Sequence, residues 1–194
     1  MPTRTDSLPR PARRLLPALA AVLSLAFASA APAGESASAG AVSWMTADAA
    51  AKTVVLDIVS GWNGNNSALN YNGYHDGDAT VTVPAGWTVE IKFTNNDSNL
   101  PHSIVLTKTY TKEEMPETAG RAEVAIPRAY SRDPEAGIAG GEKDDFRFKA
   151  ATAGKYLMIC GAPGHARSGM WIHFEVSGGK EPAFAAAKDV GGRP

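Results

Sequence analysis

The chain has 194 residues, 44% of them hydrophobic, and a formal net charge of −1. That is enough apolar material for one domain with a real core and too little for two large ones. Lys and Arg form no block outside the extreme N-terminus, so the electrostatic footprint of a nucleic-acid binder is missing.

Residues 1–30 read as an export signal, with Arg4, Arg10, Arg13 and Arg14, then an apolar run over 15–27, then Ala28-Ser29-Ala30 as a small-residue cleavage site. The expected location is the periplasm or the outer face of the cell membrane, with a membrane tether only if the signal stays uncut. No second stretch is long and apolar enough to span a bilayer. Residues 31–43 are rich in Ala, Ser and Gly and predict a flexible linker. A folded domain is expected over 44–177, followed by a tail, 178–194, that lacks a partner pattern and is read as partly disordered.

Residues 53–59 are β-branched and predict a strand. The Asn- and Gly-rich stretch 61–77 predicts a polar loop, with a hairpin turn within Asn70-Tyr71-Asn72-Gly73-Tyr74. Residues 80–83 read as a strand, 84–87 as a tight turn and 89–93 as a second strand that puts Val89, Ile91 and Phe93 on one face. A turn-forming loop over 94–100 precedes strand character over 102–106, so His102 stands at a loop-to-strand junction. Residues 111–144 mix charge, Gly and Pro, and predict an irregular insertion with room for a short helix around Glu113 to Arg121. Alternation resumes over 145–149. A strand over 155–159 runs into Cys160, and the last strand covers 171–176. The fold class that follows is all-β, a Greek-key β-sandwich or flattened barrel with one irregular, in part helical insertion.

The chemistry is concentrated between the last two predicted strands. Cys160, the only cysteine, is followed at five-residue intervals by His165 and Met170. A thiolate, an imidazole and a thioether select soft or borderline ions, and the loop offers no carboxylate for Mg²⁺ or Ca²⁺. One more imidazole completes the donor set of a blue-copper centre, with two His and one Cys in a plane and Met as a weak axial ligand. Of the four histidines, His102 is the candidate for that place and His75 the reserve; His75 sits in a polar loop, and His173 is in the outward phase of the last strand. Gly161, Gly164, Gly169 and Pro163 suit a tight, stiff loop. Singly, a buried Cys or a Met beside Trp171 is ordinary core; the joint spacing in an exported β-rich chain is what points to a metal.

With these residues in view the sequence resembles the cupredoxins, most of all the sulfocyanin group and more distantly rusticyanin. Three stretches carry the likeness: 70–74 with the Val83-Pro84-Ala85-Gly86 turn, Phe93-Thr94-Asn95 through Pro101-His102-Ser103, and the loop from Cys160 to Trp171. The resemblance implies a cupredoxin sandwich and one type 1 copper ion held by His102, Cys160, His165 and Met170. It also implies electron exchange with respiratory proteins such as a cytochrome or a haem-copper oxidase. Cupredoxins commonly carry Asn after the first histidine ligand; Ser103 stands there in this chain and alters the hydrogen bonding around the thiolate.

The leading expectation is therefore an exported electron carrier with no small-molecule substrate and no enzymatic activity. Its docking surface would surround His165 and consist of Gly161, Ala162, Pro163 and Trp171, with Arg167 biasing orientation. A multicopper oxidase or copper nitrite reductase needs more His pairs than four histidines supply, and a binuclear copper centre needs a second bridging Cys. The alternative is a periplasmic protein that binds and delivers copper; a third option is a metal-free adhesion sandwich.

Overall fold

Strict alternation of buried and partly exposed residues in two strands, β3 (Thr53–Ser60) and β5 (Thr88–Asn95), gives each one apolar face. In the computed structural model, which describes Met1, the backbone of 38–39, and residues 42–186 and 190–194, those faces form one wall of the core. The predicted export signal and most of the linker lie outside the described residues.

The remaining strands are β1 (Ser38–Ala39), β2 (Met45–Asp48), β4 (Ala79–Pro84), β6 (Val105–Thr107), β7 (Lys143–Lys149), β8 (Gly154–Ile159), β9 (Trp171–Ser177) and β10 (Ala183–Ala186). They make a six-stranded sheet, β1-β10-β4-β9-β8-β6, and a four-stranded sheet, β2-β3-β5-β7. Val54, Leu56, Ile58, Val89, Ile91 and Phe93 from the smaller sheet pack with Val81, Val83, Met158, Ile172, Phe174 and Val176 from the larger. This is the all-β two-layer arrangement expected. From β3 to β8 each connection carries the chain into the other sheet, which is why β3 pairs with β5 and β4 with β9 in parallel. The Pro84–Trp87 turn thus links two sheets and does not close a hairpin.

Two expectations need correction. The insertion contains no α-helix over Glu113 to Arg121, where Pro116 and Gly120 interrupt any helical run; its helical content is a three-residue 3-10 turn, Arg121–Glu123. The tail is not without a partner. β10 pairs antiparallel with β4, and Phe184 packs edge-on against Trp44 at 4.9 Å between ring centroids. Beyond it, Arg193 pairs with Asp57 at 2.8 Å, and its carbonyl accepts a hydrogen bond from the Trp44 indole. The predicted turn at Asn72-Gly73 is present, with positive φ at both residues and paired backbone bonds between Tyr71 and Tyr74.

Because Phe184 is a nearly buried aromatic on a terminal strand, Phe184→Ala is expected to lower the unfolding free energy by about 3 kcal/mol. Urea titration measures this; a loss of under about 0.5 kcal/mol, the size of an ordinary surface change, would mean that the tail adds nothing to the core.

Candidate metal centre

The register of two neighbouring strands builds the centre. β6 and β8 are antiparallel, with Val105 opposite Ile159 and Leu106 opposite Met158. Continued past the strand ends, that register sets Ile104 beside Cys160 and Ser103 beside Gly161. The Gly161 N–H accordingly donates to the Ser103 hydroxyl at 2.8 Å, and the Ser103 N–H to the Cys160 sulfur at 3.4 Å. His102, one residue earlier, is held by paired backbone bonds with Ile138. β9 begins opposite Ile159, so residues 160–170 form the connection between paired strands, closed by Cys160 N–H donating to the Met170 carbonyl at 3.1 Å.

Three donor atoms converge there. Cys160 Sγ lies 3.4 Å from His165 Nδ1 and 4.0 Å from His102 Nδ1. Among the described residues these three form the one group of His, Cys, Asp or Glu ligand atoms close enough to share an ion, all within 4.8 Å of one another. Met170 is fully buried in the same core cluster as Cys160, and its N–H donates to the His165 carbonyl at 3.0 Å. His75 does not join them. It stays in its own loop, 3.5 Å from Asp76 and 3.8 Å from Asp78, while His173 is exposed on β9 as its phase predicted.

The electrostatics prepare nitrogen lone pairs. Burial lowers the pKa of His102 against the opposing pull of Asp97, which favours the neutral ring. Its Nε2 lies 3.0 Å from the Asp97 carboxylate, which can only accept; Nε2 therefore carries the proton and Nδ1 presents its lone pair toward Cys160. Burial also lowers His165, with the neighbouring His102 acting in the same direction. For Cys160, burial pushes the thiol up while the N–H groups of Ser103 and Ala162 oppose it. A bound cation reverses that balance, since a coordinating thiol gives up its proton. Tyr71, wholly buried, donates to the Ser103 carbonyl and braces the segment from the core side.

Asp97 was not singled out in the sequence, and Asn95 was named only within a stretch that carries the likeness, with no role given to it. Asn95 continues the inward phase of Val89, Ile91 and Phe93, and a polar residue in a core phase is the signal that would have flagged it. Its amide donates to the carbonyls of Leu100 and Ile138 and accepts from the Asp97 N–H, which shapes the loop that carries Asp97.

The insertion straps the other flank of the loop. Ala119 N–H donates to the Gly161 carbonyl at 3.0 Å, Gly164 N–H to the Glu117 carbonyl at 2.8 Å, and Arg167 Nε to the Met115 carbonyl at 2.9 Å. Met115 and Ala119 are buried with Ala166 in a second apolar cluster. This corrects the expected docking surface. Gly161 and Ala162 are covered, and the Trp171 ring packs against Gly77 and edge-on to His173. Pro163 is exposed, His165 is half-buried, and the Arg167–Glu117 ion pair lies on the surface beside them.

The donor set fits copper in kind, and its spacing suits a first-row ion. Nitrogen and sulfur atoms bound at about 2.1 and 2.3 Å to one first-row ion, at trigonal angles, lie about 3.8 Å apart, and the observed separations of 3.4 and 4.0 Å bracket that value. A two-sheet β fold that brings a buried sulfur and two imidazoles together is the arrangement expected of a cupredoxin.

Residues 40–185 match the sulfocyanin (SoxE) domain family. Sulfocyanin of Sulfolobus acidocaldarius is 34% identical over 137 residues, covering 69% of this chain and 68% of that protein. The chain belongs to the sulfocyanin family. Auracyanin-A of Chloroflexus aurantiacus is 37% identical over 92 residues, which span 44% of this chain and 57% of the relative. Among solved structures, auracyanin A, described as a "blue" copper protein, aligns over 64% of this chain and 99% of its own length with 25% identity and a TM-score of 0.45.

A Cβ on Gly161 would lie 2.0 Å from the Ala119 carbonyl oxygen and 2.4 Å from that of Pro134, both backbone atoms. Gly161→Ala is therefore expected to cost about 1–3 kcal/mol and to loosen the insertion from the loop. Thermal unfolding and hydrogen exchange at Ala119 report it, and an unchanged transition would show that the two backbones can separate freely.

Proposed function

We propose that the protein is an exported one-electron carrier in which His102, Cys160, His165 and Met170 would hold one copper ion. The observation that carries this reading is the convergence of two imidazole Nδ1 atoms on one buried sulfur. When bound, copper alternates between its cuprous and cupric states and supplies the one-electron chemistry. The chain's own part is to keep that change cheap. Paired backbone bonds fix His102, the strand junction fixes Cys160 and Met170, and the insertion holds the loop between them. Ser103 N–H donates to the sulfur, and the apolar side chains of Ala162, Met170 and Ile104 keep water away from it.

Electrons are proposed to cross at His165, the one imidazole of the cluster that reaches the surface, next to Pro163 and the Arg167–Glu117 pair. The proposed partners are respiratory redox proteins such as a cytochrome or a haem-copper oxidase, met in the periplasm or at the outer face of the membrane. Export rests on the sequence of residues 1–30.

The protein loaded with Cu(II) is expected to show an intense visible band and narrow copper hyperfine splitting, both lost in Cys160→Ser. A pale spectrum typical of nitrogen and oxygen donors would overturn the reading. In His165→Gly, added imidazole is expected to change the spectrum by entering the vacated place; a centre indifferent to both the substitution and the imidazole would remove His165 from the ligand set.

A further inference from the structure

The two imidazoles have unequal surroundings. His165 reaches solvent, whereas His102 is fully buried and spends its second nitrogen on a carboxylate whose own side chain is 5% exposed. We propose that Asp97 is a positioning residue that holds His102 by its Nε2–H and, through its buried negative charge, lowers the reduction potential of the centre. The inference rests on the reading of His102 as a ligand.

The loop is built around that carboxylate. Asp97 Oδ1 accepts from the N–H of Asn99 at 2.8 Å and of Leu100 at 3.3 Å, a turn that an Asn side chain would make equally well. Oδ2 is left for His102, and only a carboxylate can accept on both sides at once. An Asn at this place would set its NH₂ either against the Nε2–H or against the two backbone N–H groups. Backbone crowding keeps the loop from retreating: a Cβ on Gly61 would lie 2.9 Å from Asp97 Cβ, and one on Gly140 would lie 2.4 Å from the Asp97 carbonyl oxygen. From the other side, Asn95 accepts the Asp97 N–H at 2.9 Å. The charge is thus fixed in direction and its side chain is largely covered from water, which limits the screening of its field toward His102. A negative charge so placed favours the more positive, oxidised form of the centre. The Oδ2 contact also makes His102 a better electron donor and a harder ligand to rotate away on reduction.

The test is voltammetry and visible spectra of the copper-loaded wild-type protein and Asp97→Asn. The expected result is an intense visible band in both and a potential raised by at least a tenfold shift in the one-electron equilibrium, about 59 mV. A retained band with a shift of less than twofold would overturn the inference and leave the ligand assignment intact. Should Asp97→Asn fail to fold, the reduced wild-type protein decides the matter by nitrogen-15 NMR. A slowly exchanging, strongly downfield proton on His102 Nε2 is expected, and a ring protonated instead on Nδ1 would overturn it. His102→Gly separates the premise from the inference, because an intense band that survives this substitution removes His102 from the centre altogether.

Discussion

A sulfur that would have to ionise in a dry place to hold a metal is the constraint around which the rest of the molecule is arranged. Burial alone favours the neutral thiol of Cys160 and equally the neutral rings of His102 and His165. Two uncharged imidazoles and a thiol can share a small volume without repulsion, and each keeps a lone pair ready for a soft cation. The cost of burying these groups is offset by hydrogen bonds that still leave a lone pair free on the sulfur and on His102 Nδ1. Ser103 N–H points at the sulfur, Asp97 takes the His102 proton, and the Ser103 hydroxyl is satisfied by Pro134 and Gly161. The Ser103 bonds to Cys160 and Gly161 follow from β6 and β8 keeping one register past their ends, and a slip of one residue would place Ile104 where Ser103 now meets Gly161.

The parts of the chain that alternate were legible before any coordinates. Val89, Ile91 and Phe93 on one side and Glu90 and Lys92 on the other leave few choices for a strand. The spacing of Cys160, His165 and Met170 pointed to a metal site because soft donors at such intervals have few other uses, and the structure brings Cys160 and His165 together with His102. What pairs with what was not legible, since β4 and β5 are joined by a tight turn yet lie in different sheets, and nothing local distinguishes that turn from a hairpin. The tail misled for a related reason. Residues 183–186 read Ala-Phe-Ala-Ala, a pattern too poor to announce a strand, and they become one because β4 offers an open edge and Trp44 and Tyr74 receive Phe184.

The insertion shows how weak composition is as a guide to role. Its mixture of charge, Gly and Pro marks it as irregular, and irregular it is. Yet Met115, Ala119, Ile126, Ala129 and Ile138 are all buried, and its backbone closes bonds with the loop after Cys160. Irregular backbone can be buried only if its polar groups find partners. Here they find each other across two loops, each of which would otherwise face water. The strap and the loop therefore order together.

That mutual ordering bears on how the centre divides its labour. A carrier needs one part of its donor set near a partner and the remainder unwilling to move. His165 sits on the strapped loop at the surface, whereas His102 is rooted in a strand junction, paired with Ile138 and backed by Asp97. If both imidazoles lay on the exposed loop, partner contact would disturb the whole set. If both were buried, an arriving electron would face a longer path through protein. On the proposed crossing at His165, one imidazole at the edge and one in the core would let the loop meet a partner while the register of β6 and β8 preserves the geometry behind it.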